Sequence, residues 1–136
     1  MKDYLEHTSD VEVEVKGNTL QELFVNSLKS MNNILKEGSC DKVEHYDCSM
    51  KIETKSEDST CLLIDFLSEV LALSYVHKTI FCYAYFSEIT ENKIDAQLYG
   101  IWFDQFDEEI KGVTYHEADV KKNQDNIWET HIIFDL

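Results

Sequence analysis

From Asp10 to Lys16 the chain alternates strictly, with Val11, Val13 and Val15 on one side and Asp10, Glu12, Glu14 and Lys16 on the other. A period of two is that of a half-buried strand, and it sets Asp10 at the strand's mouth on the polar face. Gly17-Asn18 reads as a turn. Thr19-x-x-Glu22 then has the form of a capping box, opening a helix over Leu20, Leu23, Phe24, Leu28, Met31 and Leu35, with Gly38 as its stop. Residues 43–53 alternate again, placing Tyr46, Cys48, Met50 and Ile52 on one face of a strand. The polar stretch 56–59 offers Asp58 or Ser59 as the cap of a second helix. That helix runs to about Tyr75, with Leu63, Phe66, Leu67, Val70 and Leu71 inward and Asp65, Ser68 and Glu69 opposite.

The rest of the pattern is β. Residues 79–87 form a nearly continuous apolar and aromatic run, which predicts a strand covered on both faces. Residues 93–102 alternate through Ile94, Ala96, Leu98 and Trp102. Two further strands are predicted over 109–120 and 127–136, joined by the polar connector 121–126 as a hairpin; the acidic stretch 104–109 reads as a loop. No repeat, low-complexity tract or linker interrupts the chain. The expected fold is α+β: one compact domain over residues 1–136, two helices packed on an antiparallel or mixed β-sheet.

Composition changes this picture in two ways. The net charge of −15 comes with no arginine, and the longest lysine run is Lys121-Lys122. Phosphate backbones are gripped by clustered Lys and Arg, so direct strong binding to nucleic acid is not expected, and an acidic surface suits a basic protein partner instead. Four cysteines (Cys40, Cys48, Cys61, Cys82) lack C-x-x-C spacing, and the N-terminal residues lack the apolar core of a signal peptide. Reduced, structural cysteines, a cytoplasmic location and no membrane association are the matching expectations, since no uninterrupted run of about 18 apolar residues occurs.

Candidate chemistry gathers at the two ends. His7-Thr8-Ser9-Asp10-Val11 leads into the first strand, and Ile132-Ile133-Phe134-Asp135-Leu136 closes the last. Asp10, Asp135 and the oxygens of Leu136 form an oxygen-only donor set of the kind hard divalent cations take. On spacing alone, each aspartate reads as a solvated strand-end residue rather than a ligand. His7 and His116 lack zinc-site spacing and read as hydrogen-bonded structural histidines, while Lys111 reads as a solvated lysine or as a positive contact near the acids. The aromatic group Phe81, Tyr83, Tyr85 and Phe86 reads as core. No nucleophile elbow or phosphate-cradling glycine loop is present.

These ends, with Glu109-Ile110-Lys111-Gly112-Val113-Thr114-Tyr115-His116 and the helical Leu62-Leu63-Ile64-Asp65-Phe66-Leu67-Ser68-Glu69-Val70-Leu71, resemble the archease family. Its members read H-T-A-D-V near the start, K-A-V-T-[WY]-H late, and D-I at the end. Ser9, Glu12 and Leu136 depart from that pattern without removing an oxygen donor. The resemblance implies a strand-helix-strand-strand module with an inserted second helical portion. It also implies a divalent cation, calcium, at Asp10, Asp135 and Leu136, and a role as activator of an RtcB-type tRNA-splicing ligase. Such an activator promotes guanylylation and multiple turnover of the ligase and broadens its nucleotide use; it is not itself an enzyme. Two rival readings are a metal-dependent hydrolase using Asp10 and Asp135 with His116, and a chaperone-like modulator of other nucleic-acid-modifying enzymes.

Overall fold

The computed structural model describes residues 10–136. Strand β1 (Asp10–Gly17) leads through a tight turn into helix α1 (Leu20–Leu35), followed by β2 (Cys48–Lys55), α2 (Ser59–His77), β3 (Thr79–Ile89), β4 (Lys93–Trp102), β5 (Gly112–Thr114), β6 (Lys121–Lys122) and β7 (Trp128–Asp135). Two antiparallel sheets result. One has the order β1-β7-β5 with β6 also on β7; the other is β2-β4-β3. Both helices pack on both sheets, giving the expected α+β architecture.

The helix starts follow their caps. Thr19 Oγ1 accepts from Glu22 N–H at 3.0 Å, while Glu22 Oε1 accepts from Asn18 N–H at 2.8 Å, one residue earlier than a standard box. Asp58 caps α2 by accepting from Cys61 N–H at 2.8 Å. Helix α1 stops at Leu35, ahead of Gly38. Leu35 offers its free carbonyl to the backbone N–H groups of Asp107 (2.8 Å) and Glu108 (3.4 Å). Helix α2 ends in Lys78, a left-handed residue at φ 50.

The core joins α1, α2 and β3 through Phe24, Phe66 and Phe86, whose ring centroids lie 5.6 to 6.1 Å apart. With 19 residues and a mean hydropathy of 1.5, α2 has the length and composition of a membrane span. Its Leu62, Leu63, Ile64, Phe66, Leu67, Val70 and Leu71 are instead buried inside the fold, as in a central core helix.

Four expectations are corrected. The strand predicted over 43–53 begins only at Cys48. Residues 36–47 instead form a looped segment tied to β3 by a Cys40–Cys82 disulfide with Cα atoms 5.6 Å apart, so those two cysteines are not reduced. Cys48 and Cys61 are free thiols. The run 79–87 is not covered on both faces: Phe81 and Phe86 are core, but Tyr83 and Tyr85 are 43% and 54% exposed. A bulge at Cys82 separates Phe81 from Tyr83 in the pairing with β4. The strand predicted over 109–120 shrinks to Gly112–Thr114, with Lys121–Lys122 forming a separate short strand on β7.

Candidate functional site

The β1–β7 register pairs Asp10 with Asp135, Val11 with Phe134 and Glu12 with Ile133. Side chains alternate across a strand, so directly opposed residues share a face. Phe134 is fully buried on one side, which turns Asp135 and Asp10 together to the other. Their Cβ atoms are therefore neighbours, about 4.5–5.5 Å apart. Two carboxylates directly opposed on a ladder repel one another, and a shared cation relieves that repulsion.

On its other flank Asp135 pairs with Gly112 of β5, and its carbonyl accepts from Lys111 N–H at 2.6 Å. A Cβ placed on Gly112 would meet nothing within 4 Å, so this flank is open. Lys111 thus fixes Asp135 through its backbone, and its exposed side chain leaves the same strand edge. Further along the face, His131 lies 3.4 Å from a carboxylate oxygen of Glu12 and 3.4 Å from one of Glu14. The alternation of β1 predicts Glu12 and Glu14 on this face but not His131, which only the register sets opposite Glu14 and beside Glu12.

Donor chemistry at the pair suits a hard divalent cation: two carboxylates, with backbone oxygens of Leu136 next in the chain. Among the described residues, no group of three His, Cys, Asp or Glu side chains is arranged to hold a metal. The Asp10–Asp135–His116 set of the hydrolase reading is therefore not assembled. His116 sits in the turn after β5, its Nε2 3.4 Å from Glu117 and its side chain 77% exposed. The His7 to Ser9 part of the opening motif lies outside the described residues.

Tyr115, in the late motif, ties that turn to α2. Its hydroxyl donates to Asp65, which also accepts from Ser56 Oγ at 2.6 Å. The hydrogen bond to Asp65, followed by burial and by the Asp65 charge, pushes the Tyr115 phenol up to about 12. Burial, then the hydrogen bond and charge of Asp58, holds the nearby Cys61 thiol up as well, so it is not an activated nucleophile.

The chain matches the Archease protein family (MTH1598/TM1083) over residues 3–136. It is 32% identical to the archease of Methanosarcina barkeri, covering 98% of this chain and 94% of that protein. The archease of Thermococcus gammatolerans is 30% identical, with 98% and 97% covered. Among solved structures, protein 1598 of Methanobacterium thermoautotrophicum superposes with a TM-score of 0.75 at 23% identity, over 95% of this chain and 94% of that one. A Thermotoga maritima structure described as an archease, possible chaperone, gives a TM-score of 0.66 at 22% identity, over 100% and 98%. A family match across nearly the whole chain, joined to the shared α+β fold, makes this protein a member of the archease family.

Proposed function

We propose that this archease-family protein is an accessory activator of an RtcB-type tRNA-splicing ligase, promoting guanylylation and multiple turnover of the ligase and broadening its nucleotide use. The observation that carries the reading is the cross-strand pair Asp10–Asp135, an acidic couple with Asp10 exposed and Asp135 half-buried, beside the open Gly112 flank. In this reading Asp10, Asp135 and backbone oxygens of Leu136 hold a divalent cation, calcium by ligand type, and present it at the partner's nucleotide site. A cation bound there supplies charge neutralisation for triphosphate groups, the main requirement of nucleotidyl transfer. The chain's own part is placement: the β1–β7 ladder holds the two carboxylates side by side, and the Lys111 N–H anchors the Asp135 backbone. The lack of arginine and the net charge of −15 support action on a protein rather than on RNA.

The test is multiple-turnover RNA ligation by the same organism's RtcB-type ligase with substoichiometric amounts of this protein. Wild type should stimulate turnover, while Asp10→Ala and a Leu136 deletion, both folded by circular dichroism, should not. Full stimulation by folded Asp10→Ala removes the pair from the mechanism. The wording "possible chaperone" on the Thermotoga maritima structure favours a second reading, a chaperone-like modulator of another nucleic-acid-modifying enzyme. Failure of wild type to stimulate the ligase, with a different enzyme co-purifying from native cells, would select it.

A further inference from the structure

We infer that the cleft between the end of α2 and residues 104–109 is a docking groove for a cationic segment of a partner protein, one carrying lysine or arginine beside an apolar anchor. This rests on the accessory-protein reading above and names the surface through which it acts. The cleft has a volume of about 340 Å³. Its aromatic floor is Tyr75 and Phe106, whose rings meet edge to face at 5.6 Å. Asp104, Glu108 and Glu109 form its walls, against a single cation, Lys78. No lysine or histidine of the described residues forms a salt bridge with any of those three carboxylates; Asp107, beside them, is paired with Lys36 at 3.2 Å.

Two large apolar side chains stand exposed at the same end of the fold. Trp102, the last residue of β4, is 63% exposed, and Val76, in the last turn of α2, is 74% exposed. The Phe103 N–H donates to the Lys78 carbonyl at 2.9 Å, joining the end of β4 to the cleft wall. An exposed tryptophan beside a half-buried tyrosine and a rim of like charge is the composition of a protein interface core with its polar border. The sign of that border selects the partner: three carboxylates around an aromatic floor repel acidic or phosphate-bearing ligands and attract a basic segment.

Backbone geometry joins this groove to the acidic pair. Tyr75 OH donates to the Ile110 carbonyl at 2.8 Å and accepts from Ile110 N–H at 2.6 Å; the next residue, Lys111, donates to Asp135. A partner seated in the groove is thereby held within a few residues of Asp135.

The experiment is calorimetric titration of the full chain into the same organism's RtcB-type ligase at low and high salt. The proteins compared are wild type, Asp104→Asn/Glu108→Gln/Glu109→Gln, Trp102→Ala and Lys78→Gln, each checked for folding. The triple carboxamide variant should bind at least about tenfold more weakly with a shallower salt dependence, Trp102→Ala should also weaken binding, and Lys78→Gln should tighten it. Binding by wild type that is unchanged in all three variants overturns the groove and leaves the ligase reading standing. A wild type that does not bind the ligase at either salt overturns the ligase reading and the groove's assignment together.

Discussion

The Tyr75 phenol and the Ile110 backbone satisfy each other completely, the hydroxyl donating to the carbonyl and accepting from the N–H of the same residue. Ile110 is 1% exposed, so neither backbone group has water as a substitute. Tyr75→Phe keeps the ring and leaves both groups unpaired. We expect a loss of about 2–6 kcal/mol, the sum of two buried unsatisfied groups, measured by urea unfolding. A loss under about 0.5 kcal/mol would show that the 104–112 segment moves enough to admit water.

Gly17 is required by close approach rather than by its dihedral angles. A Cβ there would lie 2.5 Å from Leu23 N and 2.8 Å from Glu22 C, both rigid backbone atoms of α1. Gly17→Ala should therefore destabilise the fold by about 3 kcal/mol, the upper end of overpacking costs. Gly112→Ala is the matched control, because the added methyl meets nothing.

Tyrosine titration reports the Tyr115–Asp65 contact. Tyr115 should ionise late, near pH 12, with Tyr75 also raised, chiefly by burial and further by the Glu109 charge. Because the folded state holds the Tyr115 proton more tightly than the unfolded chain does, its stabilisation is complete below about pH 10 and disappears as pH rises toward 12. Alkaline absorbance titration checks this: Asp65→Asn should return Tyr115 toward the ordinary range, and Tyr115→Phe should remove the late step.

Reduction of Cys40–Cys82 should lower stability. The bridge spans 42 positions of sequence, for which loop-closure entropy predicts about 4 kcal/mol. Urea unfolding with and without reductant measures it, and a double Cys→Ala variant should match the reduced protein.

Calcium should raise the melting temperature of wild type and not of Asp10→Asn. In chelator the order reverses: Asp10→Asn should be the more stable by a few tenths of a kcal/mol, since it relieves the like-charge pair with Asp135. A variant less stable than wild type in chelator would mean that the two carboxylates do not repel.

The sequence carried the faces of β1, β2 and β4 and both helix caps, because these depend on neighbours a few residues apart. Thr19 and Asp58 cap as their spacing indicates. It also placed Asp10 and Asp135 on polar faces, but not opposite one another, since register belongs to two distant strands. The strand predicted over 109–120 failed for a specific reason. Asp119 N–H donates to Thr130 Oγ1 and Val120 N–H to Thr60 Oγ1, so side chains replace the ladder the alternation implied. Tyr83 and Tyr85 misled in another way: a tyrosine counts as apolar in a pattern, yet it can lie on a wet face with its ring against another ring, as Tyr83 does on Tyr99 at 6.0 Å. The disulfide ran against the sequence reading because the lack of a signal-peptide core points to a reducing compartment, an argument about location that says nothing of which cysteines meet. The acidic groove was invisible because one wall comes from a helix end and the other from a loop.

The position of β7 has a temporal meaning. It is the last of the described strands in chain order, yet it is the one on which β1, β5 and β6 all pair. β1, made well before β7, waits through the translation of everything between before it finds its neighbour, and contacts of such separation form slowly. Until then its valines and acids stand unpaired, a state open to chaperones and proteases. Because Asp10 and Asp135 meet only when that ladder closes, the acidic pair exists in finished molecules alone, and a nascent or truncated chain has no such pair to offer a partner.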